Sequence, residues 1–337
     1  MITTSAPASA SSNAKKEKVI KWGVVTAGRI THTFARDIKH CVNTEIAAVA
    51  SRDDEKARRF QLEHSVETTY DNYQALFNDE NVDAVYIGSP HTFHFEHAVA
   101  AMRAGKHILC EKPITTSESK LLELMSVATE EKVFLMEAMW TWFLPAIKKA
   151  RDWYRSGKIG ELIHLKCDFG YHVPYCESGR EYDPKLAGGC LFDMGIYPIA
   201  FNRLFNASAP KEMQGNIHRA PNGVDDDVIW QLKYENSISN LHTSFRARLP
   251  NSGHLIGTEG TICIPDFFRS IECSLMRDDK IEERFQDHRK GSGFEFQIDH
   301  ACKRIRQGET QSDVVTWKDS LNFLKDIETI REKAIYS

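Results

Sequence analysis

Short apolar runs alternate with helical patterns through the first part of this 337-residue chain. The apolar runs are VIKWGVVTA, TEIAAVASR, VDAVYIGSP, HILC and KVFLMEA. Helical patterns follow the first four of them: ITHTFARDIKHC, DDEKARRFQLEH, FHFEHAVAAMRAG and SKLLELMSVATEE. Continuous apolar strands that alternate with helices are typical of βαβ units and a parallel sheet. The pattern predicts a doubly wound α/β domain over residues 19–140.

The second part of the chain has a different pattern. LIHLKCDFGYHV, VIWQLKY, ISNLHTSFRA, GTICI and SIECSLM indicate strands, and the later ones have turn sequences between them instead of helices. This arrangement predicts an antiparallel meander, closed by the helix TWKDSLNFLKDIETIREK. We therefore expect an α+β domain with an open, mainly antiparallel sheet over residues 141–337. The Ser/Ala-rich residues 1–18 are predicted to be a disordered tail.

Composition excludes several classes of protein. A hydrophobic content of 42% and a charged content of 27% are typical of a soluble globular chain. The net charge of −4 offers no basic face for nucleic acid, and no apolar run is long enough to span a membrane. Eight cysteines without a CxxC pair favour a reducing, cytoplasmic location. The tail lacks a secretory pattern, although its scarcity of acidic residues leaves an organellar transit segment as the alternative.

The ends of the predicted parallel strands indicate a cofactor site. Ligands of such sheets bind beyond the carboxyl ends of the strands, where residues 26–30, 51–52, 89–91 and 111–113 fall. Lys112 follows a buried strand in the sequence CEKPIT, an unusual place for a residue that is rarely buried without a partner. The candidate cofactor contacts are Thr26, Ala27, Gly28, Arg29, Ile30, Ser51, Arg52, Ser89, Pro90, His91, His94, Glu111 and Lys112.

The glycine loop is a weak signal alone, since residues 26–31 keep only the central glycine of G-x-G-x-x-G, Gly28. Its position between the first strand and the first helix strengthens it, because amide donors at a helix N-terminus bind phosphate. The second strand ends in Ser51 and Arg52, where an NAD site usually has a carboxylate and an NADP site a cation. We predict NADP, and Asp53 keeps NAD as the alternative.

Histidines 91, 94 and 97 form an HxxHxxH pattern that resembles metal-ligand spacing. On a helix these positions spread over about 120° of arc, which is unsuited to three ligands on one ion. No matching Cys, Asp or Glu is evident in the sequence. We predict no metal site there, and a helix start that lines the cofactor crevice.

A second group of reactive residues lies in AGGCLFDMGIYPIAF. Asp193 and Tyr197 are four residues apart, so a helix that includes both would present them on one face near its N-terminus. A carboxylate and a phenol together suit proton transfer. The alternative is an aspartate cap with a tyrosine packed in the core.

The segments GVVTAGRI, SPHTFH, EKP, EAMWT and GGCLFDMGIY, in this order, resemble the glucose–fructose oxidoreductase/inositol dehydrogenase family. The tyrosine of GGCLFDMGIY and the EAMWT segment resemble its dimeric dihydrodiol dehydrogenase and NADP-linked D-xylose dehydrogenase branch. The resemblance implies a Rossmann domain followed by an open-sheet domain often used for dimerisation. It also implies that Lys112, Asp193 and Tyr197 surround the reacting carbon. Two positions depart from the family: Trp142 stands where arginine is common, and Thr26 stands at the first glycine of the fingerprint.

The resemblance implies an NADP(H)-dependent oxidoreductase that moves a hydride between nicotinamide and a sugar or cyclic diol. Tyr197 would be the base in oxidation and the acid in reduction, or Lys112 would transfer the proton itself. Asp193 would bind substrate or hold Lys112, and Trp140, Tyr171 and Arg180 are candidate pocket residues. A reductase of a keto-sugar such as 1,5-anhydrofructose, an inositol dehydrogenase and a non-catalytic NADP-binding sensor remain alternatives. We expect a homodimer or higher oligomer that forms through the C-terminal sheet.

Overall fold

The computed structural model of the protein describes residues 17–336. A six-stranded parallel sheet with the order β3-β2-β1-β4-β5-β6 forms the first part, as the alternating pattern predicted. Its elements are β1 (Ile20–Val25), α1 (Arg29–Asp37), β2 (Thr44–Ala50), α2 (Asp54–His64), β3 (Thr68–Tyr70), α3 (Tyr73–Phe77), β4 (Ala84–Ile87), α4 (His94–Arg103), β5 (His107–Cys110), α5 (Glu118–Glu130) and β6 (Leu135–Glu137). The prediction missed β3 and α3, which are too short to show a period.

The centre of this sheet is covered on both faces, which explains the continuous apolar runs. In β1, Trp22 and Val24 point to one face and Val25 to the other, and all three are fully buried. Gly23 lies between them because a β-carbon there would come within 2.7 Å of Leu76 Cδ2 in α3. The glycine thus allows α3 to pack directly on the sheet.

A nine-stranded mixed sheet forms the second part, with the order β14-β13-β12-β11-β7-β10-β9-β8-β15. Its strands and the helices of this part are α6 (Pro145–Arg155), β7 (Leu162–Gly170), α7 (Ile196–Phe205), β8 (Glu212–Arg219), β9 (Asp225–Lys233), β10 (Ile238–Ser244), β11 (Gly253–Gly257), β12 (Thr261–Ile264), β13 (Glu272–Arg277), β14 (Lys280–Gln286), α8 (Phe294–Arg306), α9 (Trp317–Lys333) and β15 (Ile335–Tyr336). The mainly antiparallel second sheet is therefore confirmed.

The predicted continuous meander is wrong at the centre of this sheet. Strand β7 is the first of the sheet in the sequence, yet it pairs in parallel with β10 and antiparallel with β11. It separates the later strands into two antiparallel groups, β8–β10 and β11–β14. The parallel pairing is possible because α7 lies in the crossover between β7 and β8.

The last two helices return to the first sheet. Asp37 at the end of α1 accepts hydrogen bonds from the main-chain amides of Ser292, Gly293 and Phe294, at 2.8, 3.1 and 2.9 Å. In α9, Trp317 Nε1 donates to the main-chain oxygen of Leu135 in β6 at 2.9 Å. These hydrogen bonds join residues on the two sides of the predicted boundary after residue 140. The division into domains at this boundary stays a prediction.

Two sequence predictions concern membranes and the N-terminus. Among the helices of residues 17–336, none has both the length and the apolar character required to cross a bilayer. Of the predicted disordered tail, residues 1–16 lie outside the described residues.

Candidate active site

The strand ends of the first sheet face a cavity of about 1620 Å³ whose opposite wall comes from the second sheet. Every predicted cofactor contact except His94 lines this cavity. The lining residues from the first part of the chain include Thr26, Ala27, Gly28, Arg29, Ile30, Ser51, Arg52, Ser89, Pro90, His91, Glu111 and Lys112. The sequence therefore predicted correctly which edge of the sheet forms the cleft.

The turn between β1 and α1 leaves amide donors free to bind an anion. Gly28 caps α1 without a side-chain hydrogen bond, and the first turn contains no acidic residue. A β-carbon on Gly28 would meet only Thr26 Oγ1, at 3.7 Å, among the described atoms within 4 Å. Thr26 adopts a φ of 70°, a conformation that favours glycine, and its Oγ1 donates to the main-chain oxygen of Gly88 at 3.0 Å. The open helix N-terminus fits a dinucleotide pyrophosphate.

The end of β2 presents several cations to the cavity. The exposed Arg52 lines it, and its guanidinium lies 5.8 Å from the Phe93 ring centroid. Lys56 and Arg59 of α2 line the same end, although they were not predicted from the sequence. Their spacing of three residues on one helix face was the signal that could have identified them. The carboxylate of Asp53 is already engaged, because it accepts from the Lys56 amide at 3.1 Å and pairs with Lys56 Nζ at 3.0 Å.

Lys112, Asp193 and Tyr197 come together where the two sheets meet. Lys112 Nζ donates to the main-chain oxygen of Asp193 at 2.5 Å and lies 3.7 Å from Asp193 Oδ1. The same Nζ lies 4.9 Å from the centroid of the Tyr197 ring. Asp193 belongs to a π-helical turn, Leu191–Gly195, and Tyr197 to α7, so the pair does not share one regular helix. Both side chains nevertheless line the cavity.

Asp193 is an anion held by two cations, Lys112 and Arg180, with His91 beside it. Arg180 donates to Asp193 Oδ1 at 3.1 Å, and His91 Nε2 lies 3.9 Å from the same oxygen. Burial raises the pKa of Asp193, but the positive charges of Lys112 and Arg180 outweigh burial and hold its pKa at about 2. Burial lowers the pKa of His91 well below its usual value, so His91 is neutral at neutral pH. Its Nε2 accepts from Arg180 at 3.4 Å, because a guanidinium can only donate.

Tyr197 lies in the cavity floor with its hydroxyl oxygen in a hydrogen bond. Trp140 Nε1 donates to Tyr197 Oη at 3.0 Å. Burial and the nearby carboxyl of Glu111 raise the pKa of Tyr197 far above its usual value. Glu111 is itself buried, and Tyr86 donates to its Oε1 at 2.5 Å. The phenol is therefore protonated at neutral pH in the described structure.

The structure gives His94 a different position from the predicted cofactor contact. Its ring is fully buried, with Nδ1 2.8 Å from the Pro113 oxygen and Nε2 2.7 Å from the Ser89 oxygen. A neutral imidazole has one N–H and donates to only one of these oxygens at a time. His94 lies behind the cavity wall and joins the loop after β4 to the loop after β5.

The opposite wall of the cavity is aromatic. The predicted pocket residues Trp140, Tyr171 and Arg180 all line it. Three further aromatic residues line the cavity beside them and were not predicted from the sequence: Phe169, Phe268 and Phe294. The rings of Phe169 and Phe268 lie 4.3 Å apart, and those of Trp140 and Phe294 lie 4.8 Å apart. These residues come from distant segments, and no local sequence pattern identifies them.

Trp142, which the resemblance marked as a departure from the family, does not line the cavity. Its Nε1 donates to the main-chain oxygen of Ala200 at 3.2 Å, and its ring lies 5.4 Å from Phe323 of α9. Trp142 therefore contributes to the packing between α7 and α9, and it does not line the cavity.

The HxxHxxH histidines have separate partners in the structure: His97 Nδ1 lies 3.0 Å from Ser89 Oγ, whereas His91 and His94 make the contacts given above. Among residues 17–336, a different group brings three potential ligand atoms within 4.8 Å of one another, namely His32, Glu63 and His64, and the HxxHxxH histidines do not. His32 Nδ1 and His64 Nε2 are 2.8 Å apart, which is a hydrogen-bond distance.

Comparisons with known proteins agree with this architecture. Residues 20–139 match a family model described as an oxidoreductase family with an NAD-binding Rossmann fold, and residues 147–263 match the GFO/IDH/MocA C-terminal domain. The chain belongs to the GFO/IDH/MocA family of oxidoreductases, so the predicted family and the nicotinamide-dependent Rossmann domain are confirmed.

Individual relatives cover nearly the whole chain. It is 31% identical over 332 residues to trans-1,2-dihydrobenzene-1,2-diol dehydrogenase of Xenopus laevis, and the match covers 94% of this chain and 97% of the relative. The Mus musculus protein of the same name is 31% identical over 327 residues, which is 93% of this chain and 96% of the relative. A 3-ketoreductase from Actinomadura kijaniata, solved with NADP and TDP-benzene, is 26% identical with a TM-score of 0.84, and the match covers 94% of this chain and 99% of that one.

Proposed function

We propose that this protein is an NADP-dependent dehydrogenase that oxidises a secondary hydroxyl of a trans-diol or a sugar. The observation that carries the proposal is the convergence of Lys112 Nζ, Asp193 and Tyr197 in one cavity with the open N-terminus of α1. The names of the similar dehydrogenases support the diol, and the family supports hydride transfer. The site keeps all three polar residues, which argues against a non-catalytic sensor.

The residues at the strand ends fit NADP better than NAD. The amides at the N-terminus of α1 would hold the pyrophosphate, and Arg52, Lys56 and Arg59 would hold the ribose 2′-phosphate. Asp53 is a poor ribose ligand because its carboxylate already caps α2 and pairs with Lys56. When bound, the nicotinamide would accept or supply the hydride, and the protein would orient the substrate and accept its proton in oxidation or supply one in reduction.

Tyr197 would transfer the proton to and from the substrate oxygen. In oxidation its phenolate oxygen would take the proton of the substrate hydroxyl, and in reduction its O–H would return one to the carbonyl oxygen. Lys112 places positive charge against the face of the phenol ring, which stabilises the phenolate. Asp193 holds the Lys112 side chain through its main-chain oxygen and carboxylate.

Reduction of a keto-sugar by the same site is a second candidate. The raised pKa of Tyr197 keeps the phenol protonated, and this is the form that donates a proton to a carbonyl. The similar 3-ketoreductase with NADP supports this direction. Initial rates in both directions, with trans-1,2-dihydrobenzene-1,2-diol, aldoses, inositols and keto-sugars, would identify the substrate class and the favoured direction.

The variants Lys112→Met and Tyr197→Phe test the assigned roles. We expect each to lower turnover at least about 10²-fold, because a positioned acid or base is worth about 10²–10⁴ in rate. NADPH affinity, measured by fluorescence titration, should be unchanged in both. Turnover close to that of the wild type in either variant would remove that residue from the mechanism.

We also infer a homodimer formed through the second sheet. Helices α6, α7 and α9 pack against this sheet, and Ile229 of β9 is 49% exposed. The variant Ile229→Asp should shift the molar mass in light scattering from dimer to monomer. All eight cysteines lie in the described part and are free thiols, which supports the proposed cytoplasmic location.

A further inference from the structure

The hydroxyl of Tyr197 receives its hydrogen bond from an indole and not from the nearby lysine. Lys112 Nζ donates to Asp193 and lies over the face of the Tyr197 ring. Trp140 Nε1 lies 3.0 Å from Tyr197 Oη. Because an indole N–H can only donate, Tyr197 Oη must accept, which leaves the phenol hydrogen free to point towards a substrate.

The surrounding residues hold the Trp140 indole in this position. The ring is 6% exposed and packs against Phe294 with centroids 4.8 Å apart. Gly293 has a φ of 119°, and a β-carbon there would come within 3.1 Å of Trp140 Cζ3. The start of α8 therefore packs closely against the indole. This packing holds the ring with its N–H directed at Tyr197.

The charged and titratable groups that face Tyr197 come from three places in the fold: β4, the segment after β5 and the turn before α7. Glu111 follows β5 and Tyr86 lies in β4, and Glu111 disfavours a phenolate. Lys112, after β5, lies over the ring, and Asp193 lies in the turn before α7. Trp140 precedes α6 and is uncharged, and its donated hydrogen bond is the contact at the oxygen that favours the phenolate.

We propose that Trp140 is a positioning residue whose indole N–H orients the Tyr197 hydroxyl and sets the pH range in which this phenol exchanges a proton with the substrate. The inference rests on the proposed acid–base role of Tyr197. It gives the tryptophan of the EAMWT segment a function other than the shape of the pocket.

The hydrogen bond is tested without turnover by nuclear magnetic resonance of protein labelled with ¹⁵N at its six tryptophan indoles. Single Trp→Phe variants assign the Trp140 and Trp142 signals. Tyr197→Phe should move the Trp140 indole proton to lower chemical shift and leave the Trp142 proton unchanged, because Trp142 donates to Ala200. An unmoved Trp140 signal would overturn the proposal.

The tuning is tested by the pH profile of kcat/KM in oxidation, with trans-1,2-dihydrobenzene-1,2-diol and NADP⁺. Trp140→Phe keeps an aromatic ring and removes the donor, so the phenolate loses a hydrogen bond and the rising limb should move to higher pH. The expected shift is about one pH unit, because a hydrogen bond to a charged group is stronger than one to a neutral group by a free energy that corresponds to about one pKa unit. Trp142→Phe is the matched control and should leave the limb in place. A profile that is scaled down without displacement would overturn the proposal.

The two proposals fail in different ways. If Tyr197→Phe retains wild-type turnover, or if no limb depends on Tyr197, the acid–base role fails and the inference falls with it. If Tyr197→Phe abolishes turnover while Trp140→Phe leaves the limb in place, the inference about Trp140 alone is wrong.

Discussion

In the half of the cavity that the first sheet lines, the chain presents main-chain amides and cations, whereas in the other half it presents aromatic rings. The first half consists of the residues that directly follow β1, β2, β4 and β5, together with the start of α2. The second half draws Phe169, Phe268 and Phe294 from three distant segments. The two halves are thus built by local and by long-range structure respectively.

This difference suggests that the two halves can be altered independently. An anionic dinucleotide is held by helix N-termini and fixed charges, which do not depend on the packing of the second sheet. A small substrate with an apolar face is held by rings that pack against one another, such as Phe169 and Phe268. We therefore expect variants in one half to leave binding in the other unchanged.

The largest effect is expected at Glu137, the last residue of β6, which is buried outside the cavity lining and so tests the fold apart from either half. Glu137 is buried, accepts from the Ile114 amide at 2.9 Å, and burial raises its pKa to about 7 from 4.5. Because the folded state holds this proton more tightly, stability should fall as pH rises from about 4.5 to about 7. Glu137→Gln removes this dependence, so the variant should gain about 2 kcal/mol relative to the wild type between about pH 5 and about pH 8.

Urea unfolding at the two pH values measures this gain. Glu131→Gln is the control, because Glu131 is exposed at the end of α5 and should show no such change. An equal stability difference between Glu137→Gln and the wild type at both pH values would contradict a buried carboxyl that ionises near neutrality.

The sequence predicted the first half of the cavity better than the second, because local structure forms the first half and long-range contacts form the second. Gly28, Arg52 and Lys112 follow buried strands directly, so the period of the apolar runs alone located them at one edge. Asp193 and Tyr197 reach that edge only through the fold of the second sheet. Their spacing identified them as a pair, and the family resemblance predicted that they lie beside Lys112. The β7–β10 pairing and the Phe268 ring depend on contacts between segments that are distant in sequence, which periodicity does not report.

A smaller effect is expected from Arg52→Ala in the cofactor half. Loss of a charge-assisted hydrogen bond to the 2′-phosphate should weaken NADP⁺ binding about tenfold and leave NAD⁺ binding nearly unchanged. Fluorescence titration of both cofactors measures the two affinities. Arg58→Ala is the matched control, since Arg58 is exposed on α2 and does not line the cavity. Equal weakening of both cofactors would show that Arg52 does not read the phosphate, and a raised substrate KM would show that the halves are coupled.

The smallest effect is expected from Phe268→Leu in the substrate half. Phe268 lies 4.3 Å from Phe169 and 6.1 Å from Tyr197 between ring centroids, so leucine keeps much of the apolar contact but loses the flat face. Aromatic contacts contribute about 1 kcal/mol beyond the buried area. Loss of this contribution predicts a roughly fivefold lower kcat/KM for the diol. NADP⁺ affinity should not change, because Phe268 belongs to the loop between β12 and β13. Phe95→Leu on α4, outside the cavity, is the control for a general loss of aromatic packing. If Phe268→Leu weakens NADP⁺ as much as the diol, the aromatic wall also positions the cofactor, and the two halves form one binding site that is not divisible by sheet.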